Sequence, residues 1–238
     1  GANSESVTIK RDATDPTVTA TASPLPNFFG WNNTNVTVSF TGTDAMSGIA
    51  YCTPDEVLSL EGEGISVSGT CTDYAGNVSE LATVSGIDID KTPPTVTVTG
   101  VADGAVYILG DVPVAGCETV DGLSGVLDEA TLTLTGGTID GTGSFTATCS
   151  GAVDFAGNTS PDVAVGYKVI PPQMAIGSII DDIEELRKLD ILNDGLAVSL
   201  TTKLELARKI LDIGRKTRTA VNLLQAFINE VQSLVGEG

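Results

Sequence analysis

The sequence predicts a mostly β chain, in which two tandem antiparallel β-sandwiches precede a small three-helix all-α bundle. Three observations lead to this prediction. Short period-two runs cut by Gly, Pro and Asp fill the chain up to about residue 170, which is typical of half-buried antiparallel strands. That region contains two copies of one pattern, which indicates a repeat architecture. After Pro171-Pro172 the apolar spacing becomes helical.

The strands are clearest where β-branched residues alternate. In 35–40 the apolar positions Val36, Val38 and Phe40 share one face, and runs 95–99 and 131–135 alternate Thr with Val or Leu in the same way. Many short strands of this kind, separated by turn residues, favour sandwiches.

The repeat is visible in three pairs of segments. "DATDPTVTATASP" at 12–24 matches "DIDKTPPTVTVTG" at 88–100, "TDAMSG" at 43–48 matches "VDGLSG" at 120–125, and the turn "DYAGN" at 73–77 returns as "DFAGN" at 154–158. The opening segment, with its run 6–9, matches the end of such a unit. We therefore predict four parts: 1–11 as the terminal strand of a preceding repeat, 12–90 as repeat 1, 91–170 as repeat 2, and 171–238 as a helical domain.

The helical domain is predicted from three amphipathic runs. They begin near Ile176, near Leu200 and at a cap formed by Thr217 or Thr219, and Asn193-Asp194-Gly195 separates the first two. Short connections between three helices favour a small bundle.

Two resemblances follow from these motifs. The segments "GWNNTNVTVSFTGTDAMSGIAYC", "GTCTDYAGN" and "TATCSGAVDFAGNTSPDVAVGYKV" resemble the Ig-like stalk repeats of bacterial extracellular proteins, of the type found near PxKF modules. "SLTTKLELARKILDIG" and "AVNLLQAFINEVQSLVG" resemble the C-terminal FIMAH domain of secreted proteins. Neither resemblance implies catalysis.

Composition excludes several classes of function. The chain has 31 acidic and 12 basic residues, a net charge of -19, which disfavours nucleic-acid and anionic-membrane partners and favours metal cations. Histidine is absent, so catalytic Ser–His or Cys–His pairs and imidazole zinc sites are excluded. No apolar run approaches the ~18 residues of a membrane span, and no nucleophile-elbow or phosphate-loop motif occurs. We predict no enzyme activity.

The four cysteines predict two disulfides in an oxidising compartment. Pairing within each repeat would join Cys52 to Cys71 and Cys117 to Cys149. The alternative is that the cysteines are free, buried thiols.

Each repeat carries an Asp-x-x-Ser-Gly turn and an Asp-x-Ala-Gly-Asn turn, and Ca²⁺ prefers such carboxylate and amide oxygens. Asp88 or Asp90 at the joint between the repeats could contribute further oxygens. The other interpretation is that Asp, Asn and Gly only shape the turns. The predicted metal ligands are Asp44, Asp73, Asn77, Asp121, Asp154 and Asn158.

These predictions lead to a functional hypothesis. We expect a non-catalytic stalk or spacer, rigidified by calcium, within a larger secreted or cell-surface protein, with the upstream domains of the same polypeptide as partners. The Pro-containing joint Lys91-Thr92-Pro93-Pro94 favours stiffness. The alternatives are an adhesin or carbohydrate-binding accessory region of an extracellular hydrolase, which would bind cell-surface glycan, and a filament subunit that completes a neighbouring subunit by strand complementation.

Overall fold

The computed structural model describes residues 7–213 and 217–235, and within them it confirms the predicted fold class. The strands are β1 Thr17–Ser23, β2 Trp31–Asn32, β3 Val36–Thr43, β4 Ile49–Cys52, β5 Glu56–Leu58, β6 Gly62–Gly69, β7 Cys71–Asp73, β8 Ala82–Ile89, β9 Thr95–Thr99, β10 Val106–Ile108, β11 Gly116–Val120, β12 Val126–Asp128, β13 Thr131–Gly136, β14 Gly143–Ser150, β15 Val153–Asp154 and β16 Val163–Ile170. The helices are α1 Pro172–Lys188, α2 Asp194–Asp212 and α3 Thr217–Val235.

Repeat 1 is a sandwich of two three-stranded sheets. One sheet has the order β1-β3-β5 and the other has the order β2-β8-β6, while β4 and β7 form a separate antiparallel ribbon. The period-two alternation of β3 places Val36 and Val38 fully inside and Phe40 7% exposed, as the sequence predicts. Their partners across the core come from β6 and β8: Val67, Ile87 and Ile89.

Repeat 2 also has eight strands, but they are distributed differently over its sheets. Its main sheet has the order β10-β16-β14-β13, β9 pairs with β11, and β12 with β15 forms the ribbon that corresponds to β4–β7. Its core is formed by Val101, Ala147, Tyr167 and Val169. The predicted run 131–135 lies in β13, a strand at the sheet edge, and Leu134 is 51% exposed there.

The chain divides into two compact units, and the division cuts through repeat 2. The first unit comprises the described part of Gly1–Thr97 together with Glu118–Thr131 and Ser150–Asp162. The second comprises Val98–Cys117, Leu132–Cys149 and the described part of Val163–Gly238. All the predicted metal ligands therefore belong to the first unit. These units do not coincide with the repeats, so the repeat boundaries at 90 and 170 stay a prediction.

The opening segment is described only from Val7 onward. Residues 7–16 lie outside regular secondary structure, and the remainder of the predicted terminal strand lies outside the described residues. Its assignment to a preceding repeat stays a prediction.

In the helical segment α2 packs against both α1 and α3. Its buried residues Ala197, Leu200 and Leu204 form a core with Ile176 and Ile183 of α1, and Leu224, Phe227 and Val231 of α3 pack onto that core. Asn193-Asp194-Gly195 begins α2, because the Asn193 side chain accepts a hydrogen bond from Leu196 N at 2.9 Å. None of the described helices is long and apolar enough to cross a membrane.

Candidate metal centres

The Asp-x-x-Ser-Gly turns are closed by the carboxylate of their own aspartate. Asp44 Oδ1 accepts hydrogen bonds from Met46 N at 3.0 Å and from Ser47 N and Gly48 N at 2.8 Å each. Gly48 has φ 79°, a left-handed conformation that glycine adopts without a steric penalty. These contacts hold Asp44 in one place at the start of the turn.

The matching turn in repeat 2 has two of these three backbone contacts. Asp121 Oδ1 accepts from Leu123 N at 3.1 Å and from Gly125 N at 2.6 Å. Gly125 has φ 83°. The two turns therefore share their glycine conformation and two contacts, and they differ at the serine, because Ser47 N also donates to Asp44 Oδ1 at 2.8 Å.

The Asp-x-Ala-Gly-Asn turns bring a second carboxylate next to the first. Tyr74 N donates to Gly48 O at 3.0 Å, and Phe155 N donates to Gly125 O at the same distance, so the two turns of each repeat are hydrogen-bonded to each other. Asp73 lies at the end of β7, and Asp154 lies at the end of β15. Both aspartates are almost completely buried, with 2% and 0% of their surface exposed.

The asparagines of these turns orient the buried carboxylates. Asn77 donates its backbone N–H to Asp73 Oδ1 at 2.8 Å and its side-chain Nδ2 to Asp73 Oδ2 at 2.7 Å. Asn158 makes the same two contacts with Asp154, each at 2.7 Å. This geometry gives Asn77 and Asn158 a positioning contact, and their role as metal ligands stays a prediction.

A third carboxylate completes each group. Asp12 Oδ2 accepts from Ser47 N at 3.0 Å, and Asp90 Oδ2 accepts from Ser124 N at 2.9 Å. Asp90 was one of the two joint residues considered from the sequence; the other, Asp88, instead accepts from Gly64 N at 2.6 Å. The sequence analysis did not identify Asp12.

A different alignment of the repeats would have found Asp12. When Pro16-Thr17-Val18 is placed over Pro94-Thr95-Val96, Asp12 falls on Asp90 and Thr14 falls on Thr92. The structure shows the same equivalence. Thr14 N donates to Asp12 Oδ1 and Thr92 N donates to Asp90 Oδ1, both at 3.0 Å.

The turns of each repeat thus take part in a three-carboxylate cluster. Cluster 1 is Asp12, Asp44 and Asp73, and cluster 2 is Asp90, Asp121 and Asp154. In each cluster, one carboxylate oxygen from every member lies within 4.8 Å of the others. Oxygens bound to one Ca²⁺ at about 2.4 Å are at most about 4.8 Å apart, so the three can share one ion.

The electrostatics of the clusters favour a cation. Gly48 N–H, with further donors in its turn, lowers the pKa of Asp44 against the opposing effect of burial. Burial is the largest single influence on the pKa of Asp73 and raises it, but hydrogen bonds led by those from Asn77 outweigh it, so the pKa lies below its usual value. Among the described residues, ion pairs occur only in the helical segment, so no described Lys or Arg forms an ion pair with these carboxylates.

Cluster 2 also contacts the end of repeat 1. Asp90 directly follows β8, and its N–H donates to Asn32 O at 2.9 Å. Asn158 Nδ2 donates to Asp90 O at 3.0 Å. Beside the cluster, the buried Ser124 Oγ has no hydrogen-bond partner among the described residues.

The disulfides form as predicted, Cys52 with Cys71 and Cys117 with Cys149. Their positions differ between the repeats. The first joins directly paired residues of the β4–β7 ribbon that carries Asp73, whereas the second joins β11 to β14. The first disulfide therefore fixes a ribbon of the candidate site itself.

Comparison with known proteins adds little to this description. No protein family and no curated protein matches the chain. Among solved structures, it is similar to the fibronectin(III)-like modules of CbhA from Clostridium thermocellum, with a TM-score of 0.28 and 13% identity over 64% of this chain and 94% of that chain. No conclusion about this chain follows from so weak a superposition, and the resemblances to stalk repeats and to FIMAH domains stay predictions.

Proposed function

We propose that residues 12–170 form a non-catalytic spacer in a larger secreted or cell-surface protein, and that Ca²⁺ rigidifies this spacer. The observation that carries the proposal is the composition of cluster 2. Asp90 extends from the last strand of repeat 1, whereas Asp121 and Asp154 belong to two turns of repeat 2. An ion shared by these three carboxylates ties the end of one repeat to the next.

Contacts on the other side of the joint support a stiff connection. Lys91 N donates to Glu61 Oε1 at 2.6 Å, and Thr92 Oγ1 donates to the same oxygen at 3.0 Å. Lys91 Nζ reaches Ser59 O at 2.6 Å. Proline at 93 and 94 then restricts the backbone. The joint is therefore restrained both by contacts with Glu61 and Ser59 and by its two prolines.

The two disulfides support the extracellular part of the proposal, because disulfides persist in oxidising compartments. The chemistry of the clusters supports a structural role. Their carboxylates accept hydrogen bonds from turn backbone and from asparagine, and the chain has no histidine to act as a general base beside them. We propose Ca²⁺ because oxygen-only donor sets suit a hard cation.

The test is a calcium titration of the full chain and of two variants with one altered aspartate. The melting temperature of the wild type should rise with millimolar Ca²⁺ and fall with chelator, since ligand at ~100 times Kd stabilises a folded state by about 2.7 kcal/mol. Asp121→Asn should weaken the response. Asp162→Asn, an exposed acid of the same repeat outside the clusters, is the matched control and should leave it unchanged.

Small-angle scattering tests the spacer function separately from metal binding. We expect an elongated particle. If Ca²⁺ stiffens the spacer, the particle should bend less in Ca²⁺ than in chelator, and the distribution of its dimensions should be narrower. A compact particle would refute the spacer, and a melting curve that is indifferent to Ca²⁺ would refute the ion but leave the spacer standing.

A further inference from the structure

The loop that leads into β2 is closed by the side chain of one asparagine. Asn27 Oδ1 accepts hydrogen bonds from Phe29 N at 2.9 Å and from Trp31 N at 3.1 Å, and Asn27 N donates to Trp31 O at 2.8 Å. Gly30 has φ 94°, which lets the backbone reverse inside this loop. The segment 27–31 is therefore a turn of repeat 1 with a defined shape.

This turn reaches across the joint to repeat 2. Asn27 Nδ2 donates to Phe155 O at 2.8 Å, although the two residues are 128 positions apart in the chain. The rings of Phe29 and Phe155 pack edge to face, with 5.1 Å between their centroids. Phe155 directly follows Asp154, the buried aspartate of cluster 2. Repeat 1 therefore holds the Asp-x-Ala-Gly-Asn turn of repeat 2 by a hydrogen bond and by an aromatic contact.

Phe155 is held from two directions. Its N–H donates to Gly125 O at 3.0 Å, which joins it to the turn of Asp121, and its C=O accepts from Asn27. The third member of cluster 2, Asp90, extends from the last strand of repeat 1. If the two turns of repeat 2 moved relative to repeat 1, the distances among the three carboxylates would change.

The sandwich fold itself does not require the aromatic residues of this turn. The corresponding loop of repeat 2, residues 100–105 between β9 and β10, contains no aromatic residue. Phe28 is 97% exposed and Phe29 is 46% exposed, so neither ring is part of the core of repeat 1. The contact with Phe155 gives Phe29 a role that burial in its own repeat does not.

Cluster 1 provides an internal reference. The position of Phe155 is occupied in repeat 1 by Tyr74, which is 76% exposed. Among the described residues, no hydrogen bond joins the segment 27–31 to the aspartates of cluster 1. A change in this segment that acts through its cross-repeat contacts should therefore affect cluster 2 and not cluster 1.

We infer that the segment 27–31 is a latch by which repeat 1 positions the Asp154–Asn158 turn, and that Asn27 and Phe29 are positioning residues of the cation site at cluster 2. The latch stands on the contacts alone, whereas the positioning role rests on the proposed function, because it needs an ion at cluster 2. Carboxylates that are already held in place bind an ion more tightly than mobile ones. Loss of the latch should therefore weaken Ca²⁺ binding at cluster 2 about tenfold, within the usual range of coupling between two sites.

Two substitutions remove the contacts of the latch and keep its turn. Asn27→Asp retains the Oδ1 acceptor for Phe29 N and Trp31 N but loses the donor to Phe155 O. The added negative charge favours a cation, so weaker Ca²⁺ binding by this variant would not be an effect of charge. Phe29→Ser removes the ring that packs on Phe155. Phe28→Ser is the matched control, because the Phe28 ring packs only on Phe29 among the described aromatic residues.

Residual dipolar couplings of the isotopically labelled full chain, measured in chelator, test the latch without any ion. In the wild type, amides of repeat 1 and of the segments 118–131 and 150–162 should fit one alignment tensor. In Asn27→Asp/Phe29→Ser the two sets should need separate tensors, and in Phe28→Ser they should not. Separate tensors in the wild type, or one shared tensor in the double variant, would overturn the latch.

A Ca²⁺ titration followed by NMR tests the positioning role. The amides of Gly48 and Gly125 donate to Asp44 and Asp121, so each reports on one cluster. Asn27→Asp/Phe29→Ser should raise the Kd read at Gly125 about tenfold and leave the Kd read at Gly48 unchanged. Phe28→Ser should change neither value.

The outcomes separate the latch from the ion. An unchanged Kd at Gly125, or an equal increase at Gly48 and Gly125, would show that the segment 27–31 does not position cluster 2. A wild type without any response to Ca²⁺ would refute the proposed ion and the positioning role together, and the dipolar couplings in chelator would still decide whether the latch exists.

Discussion

Cluster 1 and cluster 2 share three kinds of hydrogen bond but have different surroundings. In both, a turn aspartate closes its own turn, a buried aspartate is oriented by asparagine, and a third aspartate accepts from the turn serine. Asp12 is partly exposed in cluster 1, whereas Asp90 is fully buried in cluster 2. The shared hydrogen bonds follow from the short turn motifs, which are nearly identical in the two repeats. The difference in exposure between Asp12 and Asp90 follows from the residues that surround each of them.

The disulfides allow the strongest comparison of the two repeats. Replacing Cys117 and Cys149 by Ser should lower the free energy of unfolding by about 3–4 kcal/mol, and replacing Cys52 and Cys71 should lower it slightly less. The reason is the length of the closed loop, with sequence separations of 32 and 19. Urea unfolding of the two double variants measures this order. If removing the Cys52–Cys71 bridge instead costs clearly more stability, its position in the β4–β7 ribbon matters more than the length of the loop it closes.

The buried aspartate of cluster 2 should have the next largest effect. Asp154→Ala leaves two donors of Asn158 without their acceptor in a buried site, which should destabilise the chain by about 1–3 kcal/mol in chelator. Asp73→Ala should act in the same direction, because its contacts are the same. Urea unfolding with Asp162→Asn as the exposed control checks both. If either variant were as stable as the wild type, the hydrogen bonds of its turn would not contribute to stability.

Replacing the turn glycine by alanine should destabilise the chain equally in the two repeats. Gly76 and Gly157 have φ 93° and 91°, so an alanine at either position is strained, by about 1–2 kcal/mol. An added Cβ contacts nothing within 4 Å at Gly76 and only the Asn33 side chain, at 3.8 Å, at Gly157. Thermal unfolding of Gly76→Ala and Gly157→Ala should therefore give matching losses. A difference above ~1 kcal/mol would show that the two turns are not conformational copies.

Acid should weaken repeat 1 in calcium-free buffer. The pKa values of Asp44 and Asp73 are lowered in the folded chain, mainly by Gly48 N–H for the former and, against the effect of burial, by Asn77 for the latter. A lowered pKa contributes stability that is present above the unfolded value near ~4 and is lost as the pH falls through the folded value. The fluorescence of Trp31, the single tryptophan, reports on this repeat. The double variant Asp44→Asn/Asp73→Asn should lose less stability than the wild type below about pH 4. If both lose stability equally, other groups cause the loss.

Most of the fold could be predicted because its signals are local. The alternation in 35–40 is sufficient to place Val36 and Val38 inside, and the helical spacing after Pro172 is sufficient to identify three helices. The short parallel strands β2 and β10 were not predicted, since two or three residues show no period and their pairing depends on β8 and β16. Asn193 was taken as part of a break, because a capping side chain and a helix-breaking turn use the same residues.

The candidate site was predicted only in part, for a similar reason. Four of its six aspartates lie in two recognisable kinds of turn, but Asp12 and Asp90 join them only through tertiary contacts with Ser47 and Ser124.

The place of the third aspartate has a consequence for how such a chain can evolve. The block from Asp12 to Ile89 contains one complete cluster, and the block that starts at Asp90 contains the next. A duplication or deletion of one whole block therefore changes the number of repeats without separating any aspartate from its two companions. The length of an array of these blocks can change by recombination while every junction keeps three carboxylates, so selection on length does not conflict with selection on the junctions.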